Sequence, residues 1–208
     1  MTKRRNTWIQ TASGVAFDLL SPKPEDVRTS DLGFALAWTM RFTGHAGGYS
    51  VAAHSTYVGR LLAHRYPDLP GLALAGHLHD AHEAYIGDLS SPMKACLGNI
   101  GDDYREIDRR NQAAVMRRYG VSEGAGKWAE VVEADLAMLD LEREFLLGPE
   151  AQPWNLPVGA PTPEERVAIG WPALGAKYAH AHYGVFAEET WVAVLRERLE
   201  AVGRGGIA

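Results

Sequence analysis

After Pro22 and Pro24 the apolar residues fall into a helical period and hold it through most of the remaining chain. A chain patterned at about 3.6 residues per repeat buries its apolar faces by packing helix on helix, so this switch predicts an all-α fold. Before it, Trp8-Ile9-Gln10-Thr11 and Val15 to Leu20 flank Ala12-Ser13-Gly14. They read as two short extended segments around a turn, a small N-terminal β-ribbon over about 6–21.

The period places a first helix from Ser30 or Asp31, either a good N-cap, carrying Leu32, Ala35, Leu36 and Met40 and ending near the Arg41–Gly48 stretch. A second, roughly Ser50 to Tyr66, sets Val51, His54, Tyr57, Val58, Leu61 and Leu62 on one stripe. A third runs from about Gly71 to Ile86, and a charged one, laced with ion pairs, from about Asp102 to Tyr119. The next, about Gly126 to Leu147, has the stripe Trp128, Val131, Val132, Asp135, Met138 and Leu139. Pro153, Pro157, Pro161 and Pro163 mark a loop of about fifteen residues, a length that suggests a functional cover or a partner contact. Helices over about 163–203 close the chain, the last amphipathic through Phe186, Trp191, Val194, Leu195 and Leu199. With no repeat or low-complexity tract, residues 1–208 read as a single domain with a helical core over about 30–147.

Composition narrows the function classes. A length of 208 residues buries a core without staples, and the single cysteine, Cys96, excludes an internal disulfide framework and fits a reducing cytoplasm. No apolar run approaches the ~18–20 residues of a transmembrane helix, and no apolar segment follows the basic Met1–Asn6 as a signal peptide requires. A net charge of −5 argues against stable binding of a nucleic-acid polymer through a basic surface. A small anion, held by a few cations and a metal, remains open.

The chemistry concentrates in His77-Leu78-His79-Asp80-Ala81-His82-Glu83-Ala84-Tyr85-Ile86-Gly87-Asp88. At ~100° per residue, His79, Asp80 and Glu83 share one helical face. Two further polar residues, His54 and Asp135, interrupt apolar stripes where burial is costly unless the group is paired or metal-bound. Three helices brought together would assemble His54, His79, Asp80 and Asp135 around one point. That donor set suits a single divalent transition metal such as Zn, Co, Mn, Ni or Fe.

The order His54, His79-Asp80, Asp135 resembles the signature of HD-domain phosphohydrolases. Neighbouring residues are similar to the branch of 5′-deoxynucleotidases and phage dATP triphosphohydrolases. They are Arg41-Phe42 before the first histidine, Glu83 through Gly87-Asp88, and Ser91-Pro92-Met93-Lys94. The resemblance covers roughly Asp31 to Arg143 and implies an HD-type helical bundle. Deoxynucleotidases carry Trp after the arginine, where this chain has Phe42; Gly44-His45, the ribbon and the proline-rich loop look more like phage and prophage members.

The resemblance implies hydrolysis of a phosphate bond in a 2′-deoxyribonucleotide. Arg41 would neutralise phosphoryl oxygens, and Glu83 would handle the proton of water or of the leaving group. Asp88 would bind substrate or assist catalysis. Phe42 would pack against the sugar, with Lys94 and His45 as further substrate contacts. Release of phosphate from a monophosphate is the first expectation. A dATP or dNTP triphosphohydrolase, a guanosine alarmone hydrolase and a non-catalytic nucleotide and metal sensor are the alternatives. Amphipathic surplus and the resemblance imply a homo-oligomer, dimer or higher. His77 and His82 read as structural or solvent-facing and His64 as exposed. His180 and His182, two apart, do not share a helical face as a second metal pair would need. The six tryptophans read mostly as core or interface.

Overall fold

The computed structural model describes residues 6–98, 101–148, 150–172 and 184–203. His180 and His182 lie outside them. Strands β1 (Trp8–Gln10) and β2 (Ala16–Asp18) pair antiparallel with Ile9 opposite Phe17, and the other regular elements among the described residues are helical. The helices are α1 (Thr29–Trp38), α2 (Val51–Arg65), α3 (Pro70–Leu78), α4 (Glu83–Ile86), α5 (Ser91–Cys96), α6 (Gly101–Arg118), α7 (Ala129–Glu142), α8 (Pro163–Ala168) and α9 (Gly184–Ala201). Among the described residues no helix is long and apolar enough to cross a membrane.

Helix α2 is the centre. Ser50 caps its N-terminus by accepting from the Ala53 N–H, and residues 51–59 are buried on every face, not on one stripe. One side packs on Met138, Leu141 and Trp171, the other on Leu36, Leu74 and Leu78. Close approach of α3 depends on Gly76, where any Cβ would overlap the Leu62 side chain. This contact sets His54 of α2 beside the end of α3, where His79 follows.

Several boundaries differ from expectation. Helix α1 starts at Thr29, and Asp31 is not its cap. Asp31 is buried and accepts from Ser13 N–H and Ser13 Oγ, both at 2.7 Å, locking the ribbon's turn onto α1. Phe17 then stacks on Tyr85 of α4, with ring centroids 3.7 Å apart. Helix α1 also stops at Trp38, well before the glycines. The chain turns through Phe42 and Thr43, both left-handed at φ 54° and 53°, and Arg41 N–H bonds Tyr49 O. Non-glycine residues hold that conformation only where their surroundings impose it.

The expected continuous helix over Gly71–Ile86 is broken at His79. Its Nδ1 lies 2.7 Å from Gly76 O, taking up a carbonyl at the helix end, and residues 79–85 follow with i→i+3 bonds such as Glu83 N to Asp80 O at 3.0 Å. Trp128, just before α7, and Val132 on it are exposed, and the buried face of α7 is Val131, Ala134, Ala137, Met138, Leu141 and Glu142. Helix α7 continues as a π-helical turn over Arg143–Leu147. On α9, Phe186 is exposed while Trp191, Val194, Leu195 and Leu199 are buried. Four of the six tryptophans (Trp8, Trp38, Trp128 and Trp154) are at least 40% exposed, so most are not core.

His77 is a core histidine. Its Nε2 lies 3.0 Å from Trp191 O, its ring stacks on the indole, and burial holds its pKa down at about 3. Between that value and the ordinary ~6.5 the unfolded chain binds a proton that the folded chain refuses. This contribution to stability is therefore complete above ~6.5 and lost as the pH falls, by about 2 kcal/mol between pH 7 and 5. Urea titrations at both pH values should show this loss in the native protein and a smaller one in His77→Gln. Equal losses would remove His77 as the cause.

Candidate functional site

The four expected ligands converge where α2, the His79–Asp80 turn and α7 meet. His54, His79 and Asp135 each bring one ligand atom to within 4.8 Å of the other two. His54 Nε2 is 3.0 Å from Asp135 Oδ1, and His79 Nε2 is 3.1 Å from Asp80 Oδ2. Asp80 also approaches His54 Nε2 at 3.8 Å, and Asp135 approaches His79 Nε2 at the same distance.

The opposite edge of each ring fixes its tautomer. His79 Nδ1 faces a carbonyl, and His54 Nδ1 is 2.6 Å from Glu142 Oε1; both partners can only accept, so each Nδ1 carries a hydrogen. With the hydrogen on Nδ1, each buried Nε2 is an acceptor whose near neighbours, the Asp135 and Asp80 carboxylates, also only accept, so neither contact is a hydrogen bond. Two orphaned imidazole nitrogens facing two carboxylates fit a divalent cation, with Glu142 and Gly76 O in the supporting positions such ligands require. Electrostatics point the same way. Burial opposes charge on both rings, yet Glu142 and Asp135 raise the His54 pKa, and Asp80 and Asp135 raise that of His79. Asp80 and Asp135 are held below the usual carboxylate range against their own desolvation, chiefly by His79 and by His54 and His79 respectively.

The cluster meets a cleft of about 550 Å³ through Asp80 and Asp135. Arg41, Phe42, Glu83, Asp88 and Lys94 all line it, together with Asp80 and Asp135. Burial would lower the Arg41 pKa, but Glu142, Asp135 and Asp80 more than offset this and keep the guanidinium charged. Its Nε donates to Glu142 at 3.2 Å, and its Nη1 is 3.6 Å from Asp80. Glu83 is 5% exposed, its Oε2 has no hydrogen-bond partner, and burial followed by Asp80 and Asp88 raises its pKa well above the ordinary value. Burial raises Asp88 as well. Gly87, at φ 77°, ends α4 and turns the chain so that Asp88 reaches the cleft wall. His45 is exposed at the end of the Phe42 turn and is not among the lining residues.

An uncharacterized protein of Rhodobacter capsulatus is 40% identical over 121 residues, 56% of this chain and 60% of that relative, so the chain spans three fifths of its length. The uncharacterized protein YfdR of Escherichia coli strain K12 is 30% identical over 159 residues, 76% of this chain and 83% of YfdR. The chain belongs to the YfdR family. No protein-family profile matches it.

In this member of the YfdR family two participants escape sequence reasoning. Glu142 is fully buried and joins His54, Arg41 and Tyr49, whose hydroxyl donates to it at 2.8 Å. Its signal was present, because position 142 lies seven residues after Asp135 and within about 20° of it around the helix. The second is Trp154 from the proline-rich loop. Its ring centroid is 6.0 Å from that of Phe42, and with Leu136, Leu139 and Leu156 it makes the apolar wall of the cleft. The loop thus supplies part of one cleft wall, and Ala160 N–H donates to Asp140 at 3.1 Å farther along it. His82 pairs instead with Asp108 at 3.1 Å, outside the cluster.

Proposed function

We propose that this YfdR-family protein is a divalent-metal-dependent phosphohydrolase of the HD type acting on 2′-deoxyribonucleoside monophosphates. The observation that carries the reading is the pair of orphaned Nε2 atoms facing Asp80 and Asp135 beside a cleft that also presents Arg41 and Glu83. His54, His79, Asp80 and Asp135 would hold the ion. When bound, it would supply Lewis acidity toward a phosphoryl oxygen and make water a nucleophile near neutral pH.

The chain's own residues divide the remaining work. Arg41, fixed by Glu142, neutralises non-bridging oxygens. Glu83, whose protonated form is favoured by burial and its carboxylate neighbours, suits proton donation to the 5′-oxygen as the P–O bond breaks and water oxygen joins phosphorus. Phe42 and Trp154 provide the aromatic walls for base and sugar, and Asp88, in the same cleft as Arg41, orients the sugar end.

The charge balance favours a monophosphate over a triphosphate. Among the described lining residues the cations are Arg41 and Lys94, against Asp80, Asp88 and Asp135 and a Glu83 whose charged form burial disfavours. Even with a divalent ion, little positive charge is left for a third phosphate.

A panel of nucleotides with Mn or Co, with phosphate and tripolyphosphate quantified separately, tests the reading. Expected are phosphate from dAMP and other deoxymonophosphates, loss of turnover in excess chelator, and a roughly ten- to hundredfold lower kcat/KM for AMP, whose 2′-hydroxyl meets an apolar ring without a hydrogen-bond partner. Tripolyphosphate as the main product would reassign the substrate, and full activity in chelator would end the metal reading.

A further inference from the structure

A second cleft, of about 500 Å³, shares no lining residue with the first. Arg60, Ala63 and His64 of α2 form one wall, Val167 to Gly170 at the end of α8 another, and Arg198 of α9 the third. No carboxylate lines it among the described residues, in a chain whose net charge is −5.

Arg60 has a structural task, donating from Nη1 to Ile169 O at 3.2 Å and so capping the end of α8. Arg198 has none of that kind. Its Nε is buried without a hydrogen-bond partner, and the charges acting on it are its neighbour Glu197, which favours ionisation, and Arg60, which opposes it. Burial and Arg60 together hold its pKa below the usual arginine range. Two guanidinium groups, one partly desolvated, thus share a cleft with an exposed imidazole and no counter-charge on its walls. Desolvated charge of one sign is unfavourable until an ion of the other sign joins it.

We propose that this cleft binds a small phosphoryl oxyanion between Arg60 and Arg198, with His64 at the rim. Guanidinium forks match the spacing of phosphoryl oxygens and can engage them in pairs. The site is separate from the metal centre, since six residues of α2 set Arg60 about 9 Å along the helix axis from His54. It is nonetheless joined to the support of that centre. Trp171, next to Gly170, packs edge-on against Tyr49 at 6.3 Å, and Tyr49 donates to Glu142. The proposal does not depend on the hydrolysis proposed above.

The histidine ring resonances of the full chain, followed by NMR during titration with inorganic phosphate, give a readout local to this cleft. His64 should shift saturably in the native protein and in Lys94→Met, whose substitution lies in the other cleft. Arg198→Met should weaken the shift at least ~tenfold. If Arg198→Met loses the fold by circular dichroism, Arg198→Lys carries the test, with a severalfold weaker response expected because the fork is gone. Comparing phosphate with dATP at the same resonance separates a free anion from one carried on a nucleotide. A His64 signal unmoved by either ligand up to ~10 mM, where millimolar affinity would already show, overturns the site. Native affinity in the Arg198 variants does so too.

Discussion

Glu83→Gln is expected to lower turnover by ~10²-fold or more while the protein keeps its metal, the scale of a lost general acid. Glutamine has the same volume and fills the same 5%-exposed position, but it carries no acidic proton. A merely structural role predicts a different result. Burial, Asp80 and Asp88 raise the Glu83 pKa, so the fold disfavours its charged form and a neutral amide of the same size costs little there. The variant should therefore melt no lower than the native protein. Asp80→Ala provides the contrast, losing metal and activity together. Elemental analysis and kcat measured on the same preparations separate the two cases. A Glu83→Gln enzyme working near the native rate would leave the leaving-group proton to Asp88 or solvent.

The helical period, the ribbon and the start of α2 near Ser50 are local features, and all were legible in the sequence. So were His54 and Asp135, because a polar residue on an apolar stripe is visible without knowing its partner. The break at His79 was not, because apolar periodicity carries no record of a side chain bonding back to Gly76 O. Asp31 misled for a related reason. A carboxylate near a helix start reads as a cap, and its partner, Ser13, comes from a ribbon whose docking is a tertiary event. Trp128, Val132 and Phe186 fit their stripes yet face outward, since periodicity defines a face and not its width. Trp154 lay in the loop expected as a cover, but the cleft it faces forms only when α7 and the Arg41–Phe42 turn come together.

Glu142 offers the second large effect. Its two oxygens receive Arg41 Nε, Tyr49 Oη and His54 Nδ1, so one buried carboxylate orients a metal ligand and the phosphate-binding arginine at once. Burial disfavours its charge, yet Arg41 and His54 hold its pKa below the ordinary value. Glu142→Ala should leave the His54 Nδ1–H without an acceptor and Arg41 with only the longer contact to Asp80. Breaking a buried charged pair on one side costs ~3–5 kcal/mol, a large part of a domain's typical ~5–15. Glu142→Gln is the gentler probe. It keeps the volume, but its one oxygen can serve only one side, and its NH₂ must then face another donor. Metal affinity measured by competition should fall ~10–100-fold, as when the supporting partner of a ligating histidine is lost. The KM for a monophosphate should rise with it, because Arg41 is no longer held. Melting measured without metal distinguishes the two roles: a purely structural Glu142 would lower the melting temperature and leave metal affinity of the folded protein unchanged. If Glu142→Gln binds metal as tightly as the native protein, the orientation of His54 does not come from this carboxylate, and the ring must be held by the packing of α2 alone.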